Sequence, residues 1–270
     1  MIGQLKTISK LTSLKENFPN YVILLGEEGS GRHTLTHFIS KNFLHNYPVE
    51  EITDKIDLDI INEMYVRSSP CIYLMDFSLI DERKQNMLLK ILESDLDGKY
   101  FIIIAENQNQ IISTILNRVS VKINMEKYSK EELSQFILTE ENQLNKEAIL
   151  KVCSTPGQIL KLNYFSFSDM LDLCKKFVSK ISKAAFFNTL TIADKLNYKD
   201  EYNKFDFNIF LNALTLTMYE HFKETNDKNM LKLFDSTIEL KEKLSYNKIV
   251  NKRILFENYL TNIWVKIREE

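Results

Sequence analysis

Asn20-Tyr-Val-Ile-Leu-Leu-Gly-Glu-Glu-Gly-Ser-Gly-Arg-His-Thr-Leu-Thr-His-Phe-Ile39 joins an uninterrupted apolar run, a glycine-rich turn and a stretch of helical spacing. Val22 to Leu25 reads as a buried strand, and Leu35, Phe38, Ile39 and Phe43 recur as one helix face. The turn between them resembles a phosphate-binding loop of form G-x-x-x-x-G-K-[ST]. In the intact motif, glycines let successive backbone N–H groups cradle phosphates, the lysine meets the terminal phosphates and the hydroxyl holds magnesium. Gly26, Gly29 and Gly31 are in place, but Arg32 stands at the lysine position and His33 at the hydroxyl position. Thr34 falls one place too late to be the metal ligand without a register shift. The architecture is kept and the chemistry is impaired. The same letters also fit an ordinary glycine-rich strand-to-helix turn of an α/β protein.

Working outward, helical spacing over Leu5, Ile8, Leu11, Leu14 and Phe18 predicts an amphipathic helix ending before Pro19. Val49 and Ile52 suggest a short strand; Leu58, Ile61, Met64 and Tyr65 suggest a helix face. Cys71 to Asp76 (CIYLMD) is an apolar run ending in an acid, the form in which a buried parallel strand delivers a carboxylate to the ligand edge of a sheet. In an active ATPase such an acid holds magnesium through water and a following glutamate polarises the attacking water; here the next residue is Phe77. Asp76 equally fits a plain strand terminator. A helix is expected from about Asp81, with Met87, Leu88, Ile91 and Leu92 on its apolar face. Phe101 to Ala105 is a further buried strand, Glu106 to Gln110 a polar loop at the same edge, Ile111 to Arg118 a short helix and Val119 to Ile123 a last strand. Strand and helix in alternation specify a doubly wound parallel sheet.

After Met125 helices take over. Ser129-Lys-Glu-Glu132 is a capping-box signature before Leu133, Phe136 and Ile137. Lys146 to Cys153 is a second helix, and Ser154 to Gly157 breaks the chain before a third. From Ser168 onward about five helices are expected, with turns near Asn197–Asp200, Asn226–Asn229 and Ser245–Asn251. Lys175, Lys176, Lys180 and Lys183 read as a solvated helix face.

Composition bounds the function. The 270 residues suffice for two or three domains, and 44% hydrophobic and 27% charged residues are ordinary for a globular chain. A net charge of -2 argues against bulk attraction to nucleic acid or anionic membrane. No apolar run approaches a bilayer span and the start lacks a signal-peptide pattern, so a cytoplasmic protein without membrane contact is expected. Cys71, Cys153 and Cys174 are isolated and read as core thiols, not metal ligands.

In order along the chain, several stretches resemble the clamp-loader branch of the AAA+ ATPases, and within it the delta-prime subunits of bacterial DNA polymerase III. Ile2-Gly3-Gln4 is similar to that family's I-G-Q opening, and Asn86–Glu93 (NMLLKILE) to its N-A-L-L-K-x-L-E helix. Ser113–Val119 (STILNRV) is similar to T-I-x-S-R-C, and Ser154–Leu160 (STPGQIL) to G-S-P-G-x-A-L. Asn247–Leu260 (NKIVNKRILFENYL) resembles the last collar helix. The resemblance implies an α/β AAA+ core with parallel sheet and flanking helices over 1–124, a small helical lid over 125–166 and an all-helical collar over 167–270 that joins subunits in a ring. It implies other clamp-loader subunits as partners, and a sliding clamp and primer-template DNA reached through the complex. The zinc-binding cysteines often found in the family are missing, so no zinc is expected. Arg32 for lysine, His33 for the hydroxyl and Phe77 for the glutamate are separate losses of hydrolytic chemistry. Arg118, the motif arginine used in trans, is kept. That combination resembles the non-hydrolysing delta-prime role: no tightly bound cofactor, weak ATP or ADP binding at most through Gly26, Gly29, Gly31, Arg32 and Asp76, and Arg118 as arginine finger for a neighbour. The alternative reading is a catalytically active subunit of gamma or tau type, with Thr34 reaching the metal. Taken without its motif, Arg118 reads as an ordinary ion-pair arginine. A DNA-binding adaptor is disfavoured by the lack of a basic face.

Overall fold

A computed structural model describes residues 3–52, 56–94, 96–181, 191–197, 204–246 and 251–268. The chain forms two compact units, 1–129 and 130–270. The first is an α/β unit and the second is helical in the main, the fold class expected from sequence.

The first unit is built on β1 (Tyr21–Leu25), β2 (Val49–Ile52), β3 (Cys71–Asp76), β4 (Lys99–Ala105) and β5 (Val121–Asn124). They form one five-stranded sheet in the order β2-β3-β4-β1-β5, with every pairing parallel. Successive side chains along a strand face opposite sides, and both sides are covered. Val22, Leu24, Ile72, Leu74, Ile102 and Ile104 pack with Leu35 and Ile39 of α2 (Arg32–Phe43) and with Leu11 of α1 (Leu5–Thr12). Ile23, Leu25, Tyr73, Met75, Phe101 and Ile103 pack with Ile61 and Met64 of α3 (Leu58–Val66), Leu88 and Ile91 of α4 (Glu82–Leu92) and Ile115 of α5 (Ser113–Arg118). Double coverage is the physical reason these strands read as continuous apolar runs.

Local chemistry moves several boundaries. α1 stops at Thr12, where the Thr12 and Ser13 hydroxyls bond back to the carbonyls of Ile8 and Lys10, an alternative to continuing the helix. Leu5 is 77% exposed and Leu58 67% exposed, so neither belongs to the core face that periodicity assigns it. Gln4 takes up the burial at the chain start. Its side-chain amide donates to the Glu126 carbonyl and accepts from the Glu126 N–H, each at 2.9 Å. Ile2 lies outside the described residues. Met125 N–H donates to Leu25 O at 2.7 Å and Tyr128 O–H to Ser30 O at 2.8 Å, so residues 125–128 stay with the α/β unit.

The second unit opens with short helices, α6 (Lys130–Ser134), α7 (Glu140–Leu144), α8 (Lys146–Val152) and α9 (Pro156–Lys161). α6 ends sooner than the capping-box reading expects; Phe136 and Ile137 lie beyond it, with Ile137 still buried. Thr155 caps α9 by accepting from Gln158 N–H, and Pro156 sits in the first turn where its missing donor costs nothing. α10 (Phe167–Ile181) follows, then helices Phe207–Thr225, Lys228–Tyr246 and Lys252–Arg268. A two-residue parallel ladder, Leu196–Asn197 against Phe205–Asp206, is too short to show in the residue periodicity. Asp206 then caps the next helix, accepting at 3.0 Å from the N–H groups of Asn208 and Ile209, while its other oxygen meets Lys161 Nζ at 2.8 Å. Phe256 meets Phe207 and Phe210 edge-on, with centroids 5.5 and 5.9 Å away. Tyr259 and Thr237 share a buried 2.5 Å hydrogen bond. Tyr259 and Ile263 are thus internal to this unit, whereas Ile254 on the same helix is exposed. Ile249, Lys183, the Lys180 side chain and most of the turns expected near 197–200 and 245–251 lie outside the described residues; Lys175 and Lys176 are exposed.

Candidate functional site

The loop after β1 is held by backbone geometry first. Gly26 N–H donates to Ala105 O at 3.0 Å and extends the β1–β4 ladder by one bond. A Cβ on Gly26 would stand 2.7 Å from Met125 Cβ and 2.8 Å from Ser30 Oγ, so no side chain fits there. Gly29 and Gly31 have φ of 79° and 93°, the left-handed region that glycine adopts without steric cost. Gly31 is the N-cap of α2, so the loop delivers the unpaired first-turn N–H groups of a twelve-residue helix to the carboxyl edge of the sheet.

Arg32 opens that helix and is only 5% exposed. Its Nη1 and the Ser30 Oγ are buried and have no hydrogen-bond partner among the described residues. A buried polar atom left unpaired costs about 1–3 kcal/mol, and both residues sit where the glycine turn opens α2. A guanidinium, a hydroxyl and free N–H groups suit a phosphate-bearing ligand. The residues for magnesium and water chemistry are placed otherwise. His33 is exposed, with Nδ1 3.3 Å from Glu51 Oε1, and Thr34 is exposed as well. Asp76 is half-buried and its Oδ1 accepts the Ser78 N–H at 2.9 Å, the local turn of a strand terminator. Alternation puts Asp76 with Ile72 and Leu74 on the α2 face and sends Phe77 to the α4 face. There Phe77 is 2% exposed and belongs to the core.

β4 lies between β1 and β3, so the loop after it reaches the same edge between the glycine loop and Asp76. Gln110 organises that loop, its Oε1 accepting the Glu106 N–H at 3.0 Å while its Nε2 is buried without a partner among the described residues. Gln85 of α4, 2% exposed, ties the loop to the next helix. Its Nε2 donates to Ile80 O at 2.9 Å and Gln110 O at 2.8 Å, and its Oε1 accepts from Ile112 N–H at 3.0 Å. Gln85 and the covering residues Met125 and Tyr128 were not singled out from sequence; a lone glutamine on a polar helix surface carries no signal of its partners.

Arg118 ends α5, which packs through Ile115 in the α4-side core, the opposite face of the sheet from α2. Its side chain is 40% exposed. Nη1 donates to Thr114 O at 3.0 Å and Nη2 pairs with Glu93 Oε1. The structure therefore brings Gly26, Gly29, Gly31 and Arg32 together in one loop, with Asp76 at the same edge, and sets Arg118 apart from them.

Among the described residues no group of three or more His, Cys, Asp or Glu side chains is placed to hold a metal ion. The three cysteines are free and buried. Burial pushes the Cys71 thiol up to about 11 and the Cys153 thiol up to about 12, and raises Cys174 further, which keeps all of them protonated near neutrality and poor as ligands. No helix among the described residues is long and apolar enough to cross a membrane.

No family model and no curated protein matches the chain. Among solved structures it is similar to a DNA polymerase III gamma-subunit-related protein of Thermotoga maritima, at 15% identity and a TM-score of 0.49, over 98% of this chain and 100% of that one. It is also similar to the RuvB Holliday junction branch migration motor of the same organism, at 17% identity and a TM-score of 0.44, over 80% of this chain and 70% of that one. Nothing in the chemistry of the site rests on these distant likenesses.

Proposed function

We propose that this chain is a clamp-loader subunit of the delta-prime kind, an AAA+ protein without hydrolysis of its own that supports a hetero-oligomeric ring and lends Arg118 to ATP bound by a neighbour. On this reading the α/β unit is the core, the short helices from α6 to about residue 166 the lid and 167–270 the collar through which subunits join, and the complex places a sliding clamp on primer-template DNA. One observation carries the proposal. Arg118, the arginine of the STILNRV stretch, is exposed at the end of a helix on the face of the sheet opposite α2, a placement that supports a role toward another chain and not toward its own glycine loop.

The loop's N–H groups, Ser30 and Arg32 would hold the phosphates of ATP or ADP, the ligand supplying the negative charge that those donors lack. Phe77, at the position of the water-activating glutamate, is in the core and His33 is turned to Glu51, which supports a loop that binds without hydrolysing. Bound nucleotide would persist as a structural anion. In trans, the guanidinium offers a planar fork of donors to phosphoryl oxygens on which charge develops.

Reconstitution tests this directly. Arg118→Ala should leave the subunit folded and the complex assembled, yet lower clamp- and DNA-stimulated hydrolysis by about 10³-fold or more. Arg118→Lys should recover little, because one ammonium cannot reproduce the fork. Unchanged rates in both variants, or turnover of ordinary clamp-loader magnitude by the isolated chain, would sink the proposal.

A further inference from the structure

Arg118 is not free to swing. Its Nη2 pairs with the Glu93 carboxylate and its Nη1 donates to the Thr114 carbonyl one turn back. A guanidinium has five N–H groups, so these two bonds fix its plane and leave donors for a ligand.

Both anchors are rigid. Glu93 is the C-cap of α4, a helix opened by the Asp81 side chain, which accepts from Lys84 N–H at 2.9 Å, and packed through the buried Leu88 and Ile91. α5 is tied to that same helix through Gln85, which grips Gln110 and Ile112 just before α5 begins, and through the fully buried Ile115. One helix thus holds the start of α5 with a buried glutamine and its end with a carboxylate. Stability does not account for Glu93. An ion pair as exposed as this one adds little, and an acidic group at a helix C-terminus faces the negative end of the dipole.

We infer that Glu93 is a positioning residue for Arg118: it sets the guanidinium in a defined orientation before the neighbour's ATP arrives. This rests on the trans reading proposed above. Its physical benefit is entropic. An arginine side chain has several rotatable bonds, and ordering it in advance removes that cost from the transition state. The neighbouring carboxylate also lowers the local positive potential, an opposing effect smaller than the gain from ordering the side chain in advance.

The test uses the whole complex, isolated from the native host through an affinity tag on this chain and assayed with MgATP, sliding clamp and primer-template DNA. Glu93→Ala should lower kcat about tenfold with KM for ATP within about twofold of wild type. Glu93→Gln, which keeps an acceptor oxygen, should recover part of that loss, with melting temperatures of the chain unaltered in both. The double variant with Arg118→Ala should be no slower than Arg118→Ala alone, because Glu93 acts through Arg118. If Arg118→Ala is slow while Glu93→Ala is as fast as wild type or faster, the positioning role is wrong and the trans arginine stands. A double variant slower than Arg118→Ala overturns the inference by showing a separate role for Glu93. Full activity in Arg118→Ala removes both readings together.

Discussion

The glycine loop and the end of α5 are built from opposite materials. The loop is shaped by glycines whose φ of 79° and 93° exclude most side chains, and buried polar atoms of Ser30 and Arg32 have no partner among the described residues. α5 is a short, largely exposed helix whose arginine, Arg118, bonds to both Glu93 and Thr114. On the proposed function, the difference separates holding a nucleotide from acting on one: the backbone features that would shape a phosphate cradle are in place, His33 is turned to Glu51 and Phe77 to the core, and Arg118 would serve a neighbouring chain.

The largest test tries to restore hydrolysis to the loop. Arg32→Lys, His33→Thr and Phe77→Glu together reinstate the letters of an active motif, and no turnover is expected. Phe77 belongs to the core with Tyr73 and Met75, so a glutamate there loses an aromatic packing contribution of about 3–5 kcal/mol and buries a carboxylate besides. Urea unfolding of Phe77→Glu alone should show a loss of at least that size. A triple variant that kept wild-type stability and hydrolysed ATP would mean that loop and arginine differ by a few letters only, and the comparison would collapse.

That the core position of Phe77 was missed while its identity was noted shows where sequence reading stops. β1, β3 and β4 were legible because strands covered on both faces become unbroken apolar runs, and the loop because its glycines are required by the backbone. Periodicity gives the residues that share a face but not whether anything covers it. Leu5 and Leu58 have helical spacing and are exposed. Tyr259 and Ile263, apolar residues of the last helix of the expected collar, are buried within their own unit. The Leu196–Asn197 and Phe205–Asp206 ladder is too short to leave a period. Glu93 stood inside a quoted motif, but its partner is 25 residues away in sequence, and Gln85 binds backbone atoms that no letter records.

A middle-sized effect sharpens the contrast in packing. Gly26→Ala would set a methyl 2.7 Å from both Met125 Cβ and Cγ, and because Met125 Cβ is tied to backbone that itself bonds to Leu25, relief requires moving the strand exit. A loss of about 1–3 kcal/mol is expected. Asn117→Ala, on the exposed surface of α5, should change stability by no more than about 0.5 kcal/mol. Equal losses at the two positions in chemical denaturation would show that the loop is no more constrained than the helix.

The smallest effect bears on what the loop still binds. If Arg32 and Ser30 await a phosphate, ADP at a concentration equal to its Kd should stabilise the isolated chain by RT ln 2, about 0.4 kcal/mol, which for a chain of this length is a rise of about 1 °C in Tm. The rise should be the same in EDTA as in magnesium, since His33 turns to Glu51 and Asp76 to Ser78. Arg32→Met separates the two consequences of the buried guanidinium. Without ligand it removes an unpaired buried donor and should raise stability by about 1 kcal/mol; with ADP the response should vanish. The two changes have opposite signs in one variant, which a general loosening of the loop cannot produce. A rise that needs magnesium would place a working metal site in the loop, and a loss of stability in ligand-free Arg32→Met would mean that the guanidinium is satisfied from within the chain, leaving Arg118 alone with a role toward phosphate.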